Sequence, residues 1–203
     1  MAADSDTCIL LVRHGATAET EMQRYPSVRD LPLSDGGRAQ AAALAGAVQR
    51  VAFDAVFASP SQRARETAVP LVTPRELEVQ IIPELAEMGF GQLGGMSFAE
   101  ALQAFPEAFK SWAENPFEVT LPEGESFLDF VGRVRRVRRQ LTRDWAGRTI
   151  AVVAHGGVIA VWRCLEEGRP WSDFWRGIPA PGTGVWLIRA DGQVRVETLR
   201  PGV

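Results

Sequence analysis

The stretch Cys8-Ile9-Leu10-Leu11-Val12-Arg13-His14-Gly15 passes from an apolar run into a cation, an imidazole and a glycine. A run of this length that stops so abruptly reads as a buried strand delivering side chains to the rim of a sheet. His14 is the candidate reactive group. What such a histidine needs, namely a clamp for its substrate and a proton source, is then sought along the rest of the chain.

With 203 residues and 46% hydrophobic content the chain can bury a substantial core, and it is expected to form one domain, 1–203, carrying a cap-like insertion at about 84–122. Twenty-two basic side chains stand against 25 acidic ones, a net charge of -3. No overall basic field draws in nucleic acid or an anionic membrane, so neither is expected as a partner, and an anionic ligand requires a local cluster. Cys8 and Cys164 each lie in an apolar stretch and read as buried free thiols in a reducing compartment. The acidic start Met1-Ala2-Ala3-Asp4-Ser5-Asp6 and the short apolar run behind it do not match a signal peptide or a membrane span, which points to the cytoplasm. A homodimer is compatible with these features.

Residues 15–33 carry no clear period and contain Pro26 and Pro32, which reads as a loop over the sheet edge. Ser34 offers an N-cap to an Ala-rich helix from Gly36 to Val51. Asp54 to Ala58 reads as a second buried strand and Ser61 to Val72 as the helix it opens; Glu78 to Ile82 reads as a third strand stopped by Pro83. Between Glu84 and Pro122 glycines cluster first, and short Phe- and Trp-bearing helical pieces follow, broken by Pro106 and Pro116. Ser126 with Asp129 resembles a capping box ahead of Phe127, Phe130, Val134, Val137, Leu141 and Trp145 at helical spacing. The arginines between them, from Arg133 to Arg143, read as a solvated face. Thr149 to Ala154 is β-branched at most positions and precedes a helix from Val158 to about Glu167. Asp191-Gly192 is a hairpin turn between two apolar runs, and the tryptophans Trp162, Trp171, Trp175 and Trp186 read as packing groups. The alternation predicts an α/β fold, a three-layer αβα sandwich with a mostly parallel sheet and a C-terminal antiparallel hairpin.

Both histidines of the chain follow an apolar strand directly and precede glycine directly. Parallel strands end on one edge, so His14, His155, Arg13 and the Arg63 loop are expected to converge there. Gly15, Gly156 and Gly157 permit close backbone approach. Guanidinium forks match phosphoryl oxygens, and a neutral imidazole can attack phosphorus. The leaving alkoxide then needs a proton, for which Glu84 and Glu87, after the third strand, are both candidates.

Four motifs, Leu11-Val12-Arg13-His14-Gly15-Ala16-Thr17, Ser59-Pro60-Ser61-Gln62-Arg63-Ala64-Arg65-Glu66-Thr67-Ala68, Glu84-Leu85-Ala86-Glu87 and Ala154-His155-Gly156-Gly157, occur in that order. Together they resemble the histidine phosphatase superfamily, also called phosphoglycerate mutase-like, over nearly the whole chain. The resemblance implies His14 as phosphohistidine nucleophile, Arg13, Arg63 and His155 as phosphate clamp with Gly156 beside them, and Glu87 as proton donor and later base. It implies a small phosphomonoester substrate, no cofactor and no metal. Thr20 stands where the family often has an asparagine that assists the phosphate. Pro26-Ser27 and Leu93-Gly94-Gly95 also depart from the family pattern. The short tail from Glu197 is similar to the small phosphatases, and Gly124-Glu125-Ser126-Phe127 is similar to α-ribazole phosphatases of cobalamin synthesis. α-Ribazole phosphatase and phosphoglycerate mutase remain alternatives within the enzyme class. A phospholigand-binding scaffold is the alternative outside it.

Overall fold

The computed structural model describes residues 6–27 and 29–199, so the reading of Met1 to Ser5 and of the last residues of the tail falls outside the described residues. Strands β1 (Thr7–Arg13), β2 (Ala55–Ala58), β3 (Val79–Ile81), β4 (Thr149–Ala154), β5 (Gly184–Ala190) and β6 (Gln193–Leu199) form one sheet in the order β3-β2-β4-β1-β5-β6. The first four are mutually parallel; β5 runs antiparallel to β1, and β6 antiparallel to β5. The β5–β6 turn is Asp191-Gly192, with φ of 50° and 74°, the pair of positive values that a tight two-residue hairpin demands. The expected mixed α/β architecture is the observed one.

Helices α1 (Ala18–Glu21), α2 (Asp35–Ala47), α3 (Gln62–Val72), α4 (Phe98–Ala104), α5 (Pro106–Glu114), α6 (Phe127–Asp144) and α7 (Gly156–Glu167) surround the sheet. The period-2 alternation of the central strands sorts their side chains between two cores. Ile9, Leu11, Ile150 and Val152 pack on one face with α6 and α7, while Leu10, Val12, Ala151 and Val153 pack on the other with α2 and α3. Both faces are buried, which is why these strands read as continuous apolar runs. Each of the Val, Leu and Ile side chains contributes about 1.5–3 kcal/mol on burial. A third, smaller cluster, Leu93, Ala101, Phe109, Trp112 and Leu121, lies within the segment 84–122, and Tyr25 and Phe90 pack against it.

Several expectations need correcting. Residues 15–33 contain α1, a single turn without apolar period that exists through its capping: Thr17 accepts from the Thr20 amide at 3.3 Å, and Thr20 from the Thr17 amide at 2.7 Å. Helix α2 stops at Ala47 rather than Val51, and the carbonyls of Val48 and Val51 accept from the Arg75 guanidinium instead. At α6 only half of a capping box forms: Ser126 accepts from the Asp129 amide, while the Asp129 carboxylate turns to the Ser126 hydroxyl. The arginines of α6 are not one solvated face. Arg135, Arg136 and Arg139 are exposed, but Arg133 reaches the carbonyls of Glu84, Ala86 and Glu87 at 2.6–3.0 Å, and Arg138 pairs with the buried Glu166. Cys164 is buried and Cys8 only half-buried; both are free thiols. No helix among the described residues is long and apolar enough to cross a membrane.

Candidate active site

The parallel strands deliver their C-terminal residues to one edge. Register continues one residue past each strand: the His14 amide donates to Ala154 O at 3.0 Å and the Ser59 amide to Val153 O at 2.9 Å. The loops after β1, β2 and β4 are thereby fixed side by side. His14 and His155 meet with ring centroids 5.1 Å apart, and both are buried.

The hydrogen bonds assign the tautomers. His14 Nδ1 lies 2.7 Å from Gly15 O, a carbonyl that can only accept, so Nδ1 carries the proton. Arg63 Nε, an obligate donor, lies 3.2 Å from His14 Nε2, which therefore presents its lone pair. Arg63 Nη2 faces His155 Nδ1 at 3.4 Å, and Ser59 Oγ lies 2.7 Å from His155 Nε2, so the second ring is neutral with its proton toward serine. Burial first, and the Arg63 charge next, hold His14 down at about 3. His155 is lowered well below its ordinary value by burial and by the neighbouring His14. Both rings are neutral imidazoles at neutral pH, each with a single ring proton.

Arg63 sits in the first turn of α3, held from behind: the Thr67 hydroxyl donates to Arg63 O at 2.7 Å and accepts from the Gly15 amide at 3.0 Å. One residue thus ties the clamp to the His14 loop. Arg13 extends from the end of β1 and donates from Nη1 to Pro179 O at 2.8 Å, while its buried Nε has no partner among the described residues. Glu87 accepts from the amide of Gly157 at 3.1 Å and from its neighbour Met88 at 3.0 Å. Gly157 permits this approach, because a Cβ there would stand 2.5 Å from Glu87 Oε1. Burial raises the Glu87 pKa against the opposing pull of those amides and of Arg13 and Arg63. A carboxyl of that kind can hold a proton beside a leaving oxygen.

The structure therefore brings His14, Arg13, Arg63, His155, Gly156 and Glu87 to one edge. Glu84, three residues from Glu87, is exposed and lines neither cavity of the site. Thr20 is not brought in: its hydroxyl is spent on the Thr17 amide and carbonyl. Two cavities meet at Glu87. One, of about 320 Å³, is walled by Ser59, Ser61, Arg63 and His155; the other, of about 310 Å³, by Arg13, Gly156, Gly157 and a set of aromatic rings. Sequence reading did not single out Ser59, Thr67 or Arg133 as supports, since each acts through a partner distant in the chain. Ser59 and Thr67 do lie inside the Arg63 motif, the one signal available. Among the described residues no group of three or more His, Cys, Asp and Glu is placed to hold a metal ion.

Comparison with known proteins agrees with this geometry. Residues 9–200 match the family model of the histidine phosphatase superfamily (branch 1). The chain is 38% identical over 155 residues to a bifunctional protein of Mycobacterium tuberculosis, covering 76% of this chain but 42% of that one, so it spans less than half of that relative's length. It is 30% identical over 167 residues to phosphoserine phosphatase 1 of Hydrogenobacter thermophilus, covering 82% of this chain and 79% of that protein. The crystal structure of the α-ribazole phosphatase from Shigella flexneri superposes with a TM-score of 0.87 at 29% identity, over 97% of this chain and 98% of that one. The chain belongs to the histidine phosphatase superfamily.

Proposed function

We propose that this protein is a phosphatase that hydrolyses a small phosphomonoester without a metal, through a phosphohistidine on His14. The observation that carries this reading is the hydrogen-bond pattern of His14, whose proton is pinned on Nδ1 while the Nε2 lone pair points at the Arg63 guanidinium, from which it accepts at 3.2 Å. An incoming phosphoryl group takes over the guanidinium donors of Arg63 and Arg13 and lies against His155. Nε2 attacks phosphorus; the P–N bond forms as the P–O bond to the alcohol breaks, and Glu87 gives its proton to the departing oxygen. Water then attacks the phosphohistidine, Glu87 takes up a proton from it, and inorganic phosphate leaves with His14 restored. The clamp supplies the positive charge that a metal supplies elsewhere.

The likeness to the Shigella flexneri enzyme supports α-ribazole phosphatase as the second reading. Rapid quench with a radiolabelled phosphomonoester tests the step itself. An acid-labile, base-stable phosphoprotein is expected during turnover, absent from His14→Ala. Turnover without that species, or an unimpaired His14→Ala variant, overturns the reading.

A further inference from the structure

The cavity of about 310 Å³ opens on Glu87, where a leaving oxygen would stand, and its wall is formed by Phe90, Trp112, Phe117, Phe127, Phe174 and Trp175. Trp175 is held edge-to-face against Phe174 at 4.9 Å and Trp112 at 6.2 Å, yet remains 49% exposed, so it presents ring surface with no protein partner over half its area. Away from the clamp, Arg24 is the one cation on this wall among the described residues. Its end-on pair of nitrogens already faces a carboxylate: Nη1 donates to Glu100 Oε2 at 2.6 Å and to Gly95 O at 2.7 Å, and Nη2 donates to Glu100 Oε1 at 3.1 Å. The charge of this arginine is thereby matched by Glu100 before a substrate carboxylate arrives.

We infer that this cavity is a leaving-group subsite for an uncharged, ring-bearing alcohol, and that the Arg24–Glu100 pair makes it reject carboxylated phosphomonoesters. The inference rests on the phosphatase reading and adds its substrate class. An aromatic leaving group gains by covering the exposed rings. A carboxylate leaving group loses its water here without gaining an ion-pair partner, because the cation it would need is neutralised from the outer side. Glu100 is also the N3 residue of the α4 capping box, accepting from the Ser97 amide at 2.7 Å. Glutamine fills that capping role as well, so Glu100→Gln removes the charge and keeps the helix start.

The test compares kcat/KM for phenethyl phosphate and the phosphate monoester of 3-hydroxypropanoate. Both release a primary alkoxide, and the second carries a carboxylate with no ammonium beside it, so the contrast isolates the cavity. Wild type is expected to favour phenethyl phosphate by about 100-fold, the scale on which an apolar pocket discriminates by fit. Glu100→Gln should shrink that ratio about tenfold through a gain on the carboxylated ester, and adding Arg24→Ala should remove the gain. Trp175→Ala should shrink the ratio about tenfold by a loss on phenethyl phosphate instead. Equal turnover of the two esters by wild type, or a gain on the carboxylated ester that survives Arg24→Ala, overturns the subsite while the phosphatase reading stands. Turnover of neither, with no phosphoprotein, overturns both.

Discussion

The strand-end cluster and the aromatic cavity share Glu87 but are built in opposite ways. At the strand ends His14, Arg63 and His155 are buried and tied to their surroundings: the His14 ring by Gly15, the Arg63 backbone by Thr67, the His155 ring by Ser59. In the cavity the walls are rings carried by the segment 84–122, by the start of α6 and by the 3₁₀ turn Trp171–Gly177, and their mutual contacts are edge-to-face. The first arrangement fixes proton positions and charge. The second fixes only shape and polarity. A single reaction can therefore be kept while the alcohol it acts on changes, because, Glu87 apart, the residues that would set the chemistry are not those that line the leaving-group cavity.

Glu87 is where the comparison can be broken most visibly, since it serves both cavities. Glu87→Gln keeps one of the two amide contacts, since its single oxygen can accept from Gly157 or from Met88, and it has no acidic proton to give. General-acid loss costs about 10²–10⁴-fold, so kcat for alkyl phosphates is expected to fall by that amount and kcat for activated aryl phosphates by less than about tenfold. Steady-state kinetics on the two ester types reads this directly. Equal slowing of both would move the acid elsewhere and detach the cavity from the chemistry.

A second contrast is electrostatic. His14 is held at about 3 against an ordinary value of 6.5, and His155 is lowered as well, both chiefly by burial. The unfolded chain binds these protons below about pH 6.5 while the folded site refuses them, so stability is full above that pH and is lost as pH falls toward the folded values. The slope is about 1.4 kcal/mol per pH unit for each imidazole. Glu87, raised in the fold, works with the opposite sign above the ordinary carboxyl range and offsets part of one imidazole. Urea midpoints from about pH 6 to about pH 4 should therefore decline, and His14→Gln should flatten the decline by up to about 1.4 kcal/mol per unit. Trp175→Ala should leave the slope alone, as its ring packs on Phe174 and Trp112 rather than on either histidine. A His14→Gln slope identical to wild type would remove the electrostatic distinction between the two regions.

The same contrast decides what could be read in advance. The strand-end residues are legible because covalent neighbourhood does the placing: Arg13 ends β1 and His14 follows it, His155 and Gly156 follow β4, and a parallel sheet puts those ends together. Glu87 is one of two carboxylates by topology, and only the family resemblance singles it out in the sequence. Its selection over Glu84 depends on Gly157, a residue 70 positions away, offering its amide. The supports and the cavity walls were not legible for the same reason. Arg133 looks solvated in a row of arginines, and only the fold reveals that it gathers the carbonyls of Glu84, Ala86 and Glu87. Trp175 looks like packing until the 3₁₀ turn leaves it half in solvent. Short elements such as α1 have no period to detect; their existence is decided by two or three capping bonds.

Thr20 gives the smallest effect and the sharpest assignment, because family position and geometry disagree about the region it belongs to. By position it replaces a phosphate ligand; by geometry its hydroxyl accepts from the Thr17 amide at 2.7 Å and donates to the Thr17 carbonyl at 2.9 Å, on a turn outside both cavities. If the hydroxyl is a capping group, Thr20→Ala costs about 1 kcal/mol of stability, and kcat/KM for any phosphomonoester changes by less than about twofold. If it turns toward the phosphate on binding, the pattern inverts: the urea midpoint holds, and kcat/KM drops about tenfold for every ester alike, because a lost phosphate contact is blind to the alcohol. Measuring both quantities on one variant separates the two. The capping outcome is the expected one, since moving the hydroxyl would leave the Thr17 amide and carbonyl without the partner that makes α1 a helix.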